Sequence, residues 1–138
     1  WAGVLPALEF EQWCVKPVAA IVAGLRKRRP DARIIGFPRN ATSHLGGYAA
    51  ATKVDMVGLD TSVAPKFVRS IVADNVPVQG NLDPLALIAG GERLDAGVRH
   101  ILDTFRGRPH IFNLGHGILP QTPVAHVERL MQLVRSEG

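Results

Sequence analysis

Four short apolar segments, separated by stretches with helical character, constrain the fold of this chain more than any other feature. The segments lie at residues 33–37, 56–59, 76–80 and 111–114, and they are rich in residues that favour β-strands. Most of each segment is continuously apolar, which is typical of parallel strands covered on both faces. We therefore predict four strands in one parallel sheet.

Helical periodicity fills the stretches around these strands. The predicted helices cover residues 8–28, 43–53, 65–73, 92–105 and about 123–135, with a short helical turn at 84–88. Pro17 interrupts the first pattern, so this helix either kinks or begins there. Thr122 is expected to cap the last helix. Strands that alternate with helices predict right-handed βαβ units.

Two α/β architectures accommodate one helix followed by four strand–helix units. One is a doubly wound four-stranded sheet, and the other is the C-terminal half of a (β/α)8 TIM barrel. The chain begins at Trp1 rather than Met, and its first residues resemble the interior of a longer protein. This start favours the half-barrel, and we expect residues 1–138 to form a single segment of one barrel domain.

Composition excludes several classes of protein. The content of 46% hydrophobic and 20% charged residues predicts a globular chain, and no apolar run is long enough to span a membrane. The one cysteine, Cys14, cannot form an internal disulfide and fits a reducing compartment, so we expect a cytoplasmic protein. The basic cluster at residues 26–29 has no interleaved aromatic residues and reads as a solvated helix end, so we expect no nucleic-acid partner.

Polar residues follow every predicted strand. They are Arg39 and Asn40, Asp60 and Thr61, Asn81 and Asp83, and Asn113 and His116. In a parallel barrel these strand ends converge on the face where ligands bind. Asp60, Thr61 and Asp83 fit helix capping or loop bracing at least as well, because their oxygens accept hydrogen bonds. Arg39 and His116 fit capping poorly, because both donate when charged.

His116 is the strongest single candidate for a ligand contact. It lies between Gly115 and Gly117 at the end of the fourth strand, and the glycines allow a sharp turn and a close approach of a ligand. The chain has no dinucleotide-binding, Walker, H-E-x-x-H or C-x-x-C motif. The histidines also lack the paired spacing of metal ligands, so we expect no metal.

Four short motifs carry a resemblance to a known family. They are WAG at 1–3, VGLD with VAP at 57–65, GNLDP at 80–84 and NLGHGILP at 113–120. Taken in order, they resemble the C-terminal part of uroporphyrinogen decarboxylase. The resemblance implies a β/α-barrel homodimer of haem and tetrapyrrole biosynthesis that needs no metal or organic cofactor. Such an enzyme removes the four acetate carboxyl groups of uroporphyrinogen to give coproporphyrinogen.

The resemblance carries over to few residues of this chain. His116 matches the family's substrate-contacting histidine, and Arg39 matches a basic position that we expect to face the substrate's carboxylates. The family's central aspartate, two arginines, tyrosine and serine would precede Trp1. The resemblance therefore implies no complete catalytic set in this segment, inactivity of the segment alone, and the N-terminal half of the same protein as its partner.

Two other readings remain at the level of sequence. A related family with the same fold transfers methyl groups to thiols or corrinoids with zinc, but it needs cysteines at strand ends, and Cys14 lies in a predicted helix. A non-catalytic α/β binding module is the second alternative, and it predicts a stable monomer of 138 residues.

Overall fold

The computed structural model describes residues 2–138 and contains one parallel sheet of four strands. The strands are β1 (Ile35–Gly36), β2 (Met56–Gly58), β3 (Val78–Gln79) and β4 (His110–Ile111). Their spatial order follows their order in the chain, β1-β2-β3-β4. In a doubly wound sheet the order of the strands reverses at a switch point. The strand order of this sheet has no such reversal. The α/β fold with a parallel sheet is thus confirmed, and the doubly wound form is wrong.

Seven α-helices lie in the described part of the chain. They are α1 (Ala7–Phe10), α2 (Lys16–Arg28), α3 (Leu45–Thr52), α4 (Pro65–Ile71), α5 (Pro84–Ala89), α6 (Gly91–Phe105) and α7 (Val124–Glu137). A π-helical segment, Glu11–Val15, joins α1 to α2 without a break. Pro17 lies in the first turn of α2, directly after this wider segment, where its missing N–H is tolerated.

The two faces of the sheet differ in how far they are covered. Val57 pairs with Val78, which pairs with His110, and both valines are completely buried. Because side chains alternate along a strand, Gln79 and Ile111 lie on the opposite face. Within residues 2–138, helices cover the face that carries the valines, as predicted, and they do not cover the other face. We call the other face the open face.

Three large apolar side chains of the open face are exposed. Ile35 is 45% exposed, and Phe37 and Ile111 are each 47% exposed. Right-handed crossovers that all step in the same direction place their helices on one side of a sheet. The helices of this chain therefore cover the valine face and leave the other side to solvent within residues 2–138.

One side of α6 belongs to the buried core. Leu94, Val98 and Phe105 are buried along one side of α6, as their helical spacing predicts. Gly36 is required where β1 meets α3, because a Cβ atom there would lie 2.7 Å from a ring carbon of Tyr48. None of the described helices is long and apolar enough to cross a membrane.

The prediction that Thr122 caps the last helix is wrong. The N-cap position is taken by Pro123, and α7 begins at Val124. The hydroxyl of Thr122 is buried and has no hydrogen-bond partner among the described residues. Because Thr122 precedes the helix by one position more than predicted, its oxygen does not reach the free N–H groups of the first turn.

Candidate active site

A depression opens at the carboxyl ends of the strands, on the open face of the sheet. Its lining consists of Phe37, Gly58, Leu59, Gln79 and residues 113–118. Ligands of parallel α/β sheets bind outside the carboxyl ends of the strands. The depression therefore lies where the sequence predicted a site, and it contains His116.

Backbone contacts position the loop that carries His116. The N–H of Gly115 donates to the carbonyl oxygen of Leu82 at 2.8 Å. The N–H of Leu82 in turn donates to the carbonyl oxygen of Asn113 at 3.0 Å. Gly115 is buried against the loop that follows β2, because a Cβ atom there would lie 2.6 Å from the backbone nitrogen of Thr61. A larger residue at 115 would move this loop, so glycine here serves close packing.

The imidazole of His116 is half-buried at the rim of the depression. Its Nδ1 lies 3.3 Å from the carbonyl oxygen of Gly117. A carbonyl oxygen only accepts, so Nδ1 carries a proton in this contact, and Nε2 is left for other partners. Nε2 accepts a hydrogen bond when the ring is neutral and donates one when it is protonated.

Asp60 and Asn81 brace the loops around the site. The Asp60 carboxylate is buried and accepts hydrogen bonds from the backbone N–H groups of Asn40 and Ser62, the latter at 2.7 Å. The Asn81 side chain donates to the carbonyl oxygens of Asp60 and Val63, both at 2.8 Å. The bracing role considered for Asp60 is therefore confirmed, and the loops after β1, β2 and β3 are joined.

The remaining two acidic or basic candidates lie apart from His116. Asp83 is the N-cap of α5, and its Oδ1 accepts from the N–H of Leu85 at 2.9 Å, which confirms the capping role considered for it. Arg39 is exposed in the loop after β1 and is not among the residues that line the depression. Its contact with a substrate stays a prediction.

Phe37 and Gln79 line the depression and were not singled out by the sequence patterns. The ring of Phe37 covers Gly58, because a Cβ atom at 58 would lie 2.8 Å from Phe37 Cδ2. Gln79 follows the buried Val78 and therefore lies on the open face. A polar residue at the end of an otherwise apolar strand was the available signal for Gln79.

The other histidines have structural contacts away from the depression. His110 Nε2 donates to the carbonyl oxygen of Gly80 at 2.6 Å, and burial lowers the pKa of this imidazole. His126 Nδ1 donates to the carbonyl oxygen of Leu87 at 2.9 Å. His44 stacks on Phe10, with 4.3 Å between ring centroids. Residues 2–138 hold no group of three His, Cys, Asp or Glu arranged for a metal ion.

Comparison with known proteins gives a consistent result along the whole chain. The family model described as uroporphyrinogen decarboxylase (URO-D) matches residues 1–137. The chain belongs to the uroporphyrinogen decarboxylase family. The resemblance seen in the four motifs is thereby confirmed, although Trp1 of the first motif lies outside the described residues.

Named relatives agree with this assignment. The uroporphyrinogen decarboxylase of Sphingopyxis alaskensis is 54% identical over 135 residues, which are 98% of this chain and 40% of the relative. Those of Rhizorhabdus wittichii and Hyphomonas neptunium are both 53% identical and cover 98% and 99% of this chain. The chain therefore spans about 40% of the length of these relatives. The match favours neither the zinc methyltransferase nor the binding module.

Proposed function

We propose that the protein to which this chain belongs is a uroporphyrinogen decarboxylase, a carboxy-lyase that converts uroporphyrinogen to coproporphyrinogen in haem biosynthesis. The observation that carries the proposal is the position of His116, the family's motif histidine, at the strand ends inside the depression. The match of residues 1–137 to the family supports it further. Relatives that bear the decarboxylase name share about half of the residues over nearly the whole chain.

The reaction places definite demands on such a site. A proton adds to the pyrrole α-carbon, next to the ring carbon that bears the acetate arm, and the ring becomes a cation. The electron pair of the bond to the carboxylate then moves toward the ring as carbon dioxide leaves. A second proton converts the exocyclic methylene to a methyl group, and the first proton is lost again. The site must therefore bind carboxylates, tolerate a cation and supply a proton.

His116 suits the first of these demands. Its Nε2 is left for other partners by the contact of Nδ1 with Gly117, and the half-buried ring lies at the rim of the depression. A protonated imidazole forms a charge-assisted hydrogen bond with a substrate carboxylate. We assign Arg39, which is exposed on the loop after β1 and lies outside the depression, to the long-range attraction of the same polycarboxylate substrate.

The remainder of a barrel would complete this site. The strand order without reversal and the exposed Ile35, Phe37 and Ile111 of the open face support a half-barrel whose interior is unfilled. The N-terminal half of the protein would supply the other strands and the family's aspartate, arginines, tyrosine and serine. We further propose a homodimer in the cytoplasm, in keeping with the family and with the single unpaired Cys14.

Replacing His116 tests the proposed function in the full-length protein. A hydrogen bond to a charged group contributes about 1.5–3 kcal/mol, so His116→Ala should lower kcat/KM for uroporphyrinogen by about 10- to 150-fold. The matched control is His100→Ala, on the exposed side of α6, which should leave the kinetics unchanged. Separation of the porphyrin products by chromatography measures both. Unchanged kinetics of His116→Ala would remove this residue from the site, and a wild-type protein without decarboxylase activity would contradict the proposed function.

A further inference from the structure

Gln79 is the polar side chain at the centre of the open face. It lies between Gly58 on β2 and Ile111 on β4, with which it is in register. Its side chain is half-buried and lines the same depression as His116. No hydrogen bond joins its carboxamide to any residue within 2–138.

Within residues 2–138, the neighbours of Gln79 in the sheet offer its carboxamide no hydrogen-bond partner. Gly58 has no side chain, and Ile111 is apolar, so neither neighbour in the sheet offers a partner. The ring of Phe37 covers Gly58 and adds another apolar surface. A polar group that a ligand covers must form a hydrogen bond with that ligand, because leaving it buried and unpaired is costly. The amide of Gln79 is therefore available to whatever occupies the depression.

We propose that Gln79 binds the substrate by donating a hydrogen bond from Nε2 to a carboxylate of the pyrrole that lies against His116. This inference rests on the proposed function, since it concerns the same site. Gln79 and His116 line one depression, so one ring substituent can meet both. The amide donates at every pH, whereas the imidazole donates from Nε2 only when it is protonated.

The lack of charge on Gln79 suits the reaction proposed for the depression. The reacting pyrrole becomes a cation, and a charged donor such as arginine beneath it would oppose that step in a low-dielectric site. A neutral amide holds the carboxylate without this repulsion. The apolar Phe37 and Ile111 beside it leave the amide as the directional contact on this part of the face.

Three variants of the full-length enzyme test the proposal. Gln79→Leu removes the donor at similar volume, and it should raise KM by about tenfold or more, with a smaller change in kcat. Partly decarboxylated porphyrins should accumulate, because a loosely held ring leaves before its remaining acetates react. Gln79→Glu should raise KM further than Gln79→Leu, because a carboxylate would face a carboxylate. The matched control, Gln132→Leu on the exposed surface of α7, should behave as wild type.

Each contrary outcome has a distinct meaning. A KM for Gln79→Leu within about twofold of wild type overturns the inference. A lower KM for Gln79→Glu than for Gln79→Leu also overturns it, because the residue would then accept from a pyrrole N–H. Loss of thermal stability with KM unchanged would assign Gln79 to the packing of the barrel interior instead. A wild-type enzyme that forms no coproporphyrinogen refutes the proposed function, whereas an active wild type with unaffected variants refutes only the role of Gln79.

Discussion

Arg108 anchors the beginning of the strand that leads to His116, and replacing it should strongly destabilise the fold. Its side chain is completely buried. The guanidinium donates to the carbonyl oxygens of Val72 at 3.0 Å and of Ala73 and Val76 at 2.8 Å each. These bonds join the segment after α4 to Arg108, which lies just before β4. The Arg108→Met variant keeps an unbranched apolar side chain but removes the guanidinium and with it all three bonds.

The three bonds set the size of the expected effect. The bond to Val72 is fully buried, and a charged hydrogen bond of this kind contributes about 1.5–3 kcal/mol. The two part-buried carbonyls can partly rehydrate, so each contributes about 1 kcal/mol. The ion pair with Asp74 adds little, because that carboxylate is 74% exposed. Arg108→Met should therefore lower the free energy of unfolding by about 3.5–5 kcal/mol.

Urea unfolding of the full-length protein, followed by circular dichroism, measures this difference. The control is Arg106→Met, whose ion pair with Asp103 is exposed and should contribute less than about 1 kcal/mol. At low temperature, where Arg108→Met is still folded, its KM for uroporphyrinogen under the proposed function should stay near wild type. If the free energy of unfolding of Arg108→Met were within about 1 kcal/mol of the wild-type value, the three hydrogen bonds to carbonyl oxygens would not stabilise the fold as argued.

Two further predictions concern His110 and the isolated chain. Burial lowers the pKa of His110 below its ordinary value of about 6.5, so its stabilising contribution is complete above that value and is lost as the pH falls from there to the lower pKa of the folded protein. Urea unfolding at pH 7.5 and 5.5 should show a smaller acid-induced loss of stability in His110→Gln, and an equal loss in both proteins would contradict this. Size-exclusion chromatography of the 138-residue chain alone should show association through the open face, whereas a stable monomer would contradict the half-barrel.

Some parts of the site were predictable because they depend on local chemistry. The end of the fourth apolar segment in Gly115-His116-Gly117 predicted that the imidazole lies at the carboxyl end of the sheet. The Asp83-Pro84 pair predicted a helix start, since an aspartate oxygen reaches an N–H two residues later. Thr122 shows the limit of such reasoning, because a shift of one position at the start of α7 removed its capping bond.

Other parts depended on contacts between segments that are distant in the chain. The choice between a doubly wound sheet and a singly wound one required the strand order, which apolar runs do not encode. Likewise, the bond of His110 with the carbonyl oxygen of Gly80, 30 residues earlier, has no local signal in the sequence. Gln79 became a candidate only when the register showed which face it shares with the depression.

The sequence by itself therefore determined the α/β class, the family and the location of His116, because each of these depends on short motifs or on periodicity along the chain. Only the tertiary structure decided that one face of the sheet is open and that Phe37 and Gln79 join His116 there. It also decided that Asp60 braces loops and that Arg39 lies outside the depression. The physical reason is that successive side chains of a strand point to opposite faces, and only the packed helices determine which face is buried.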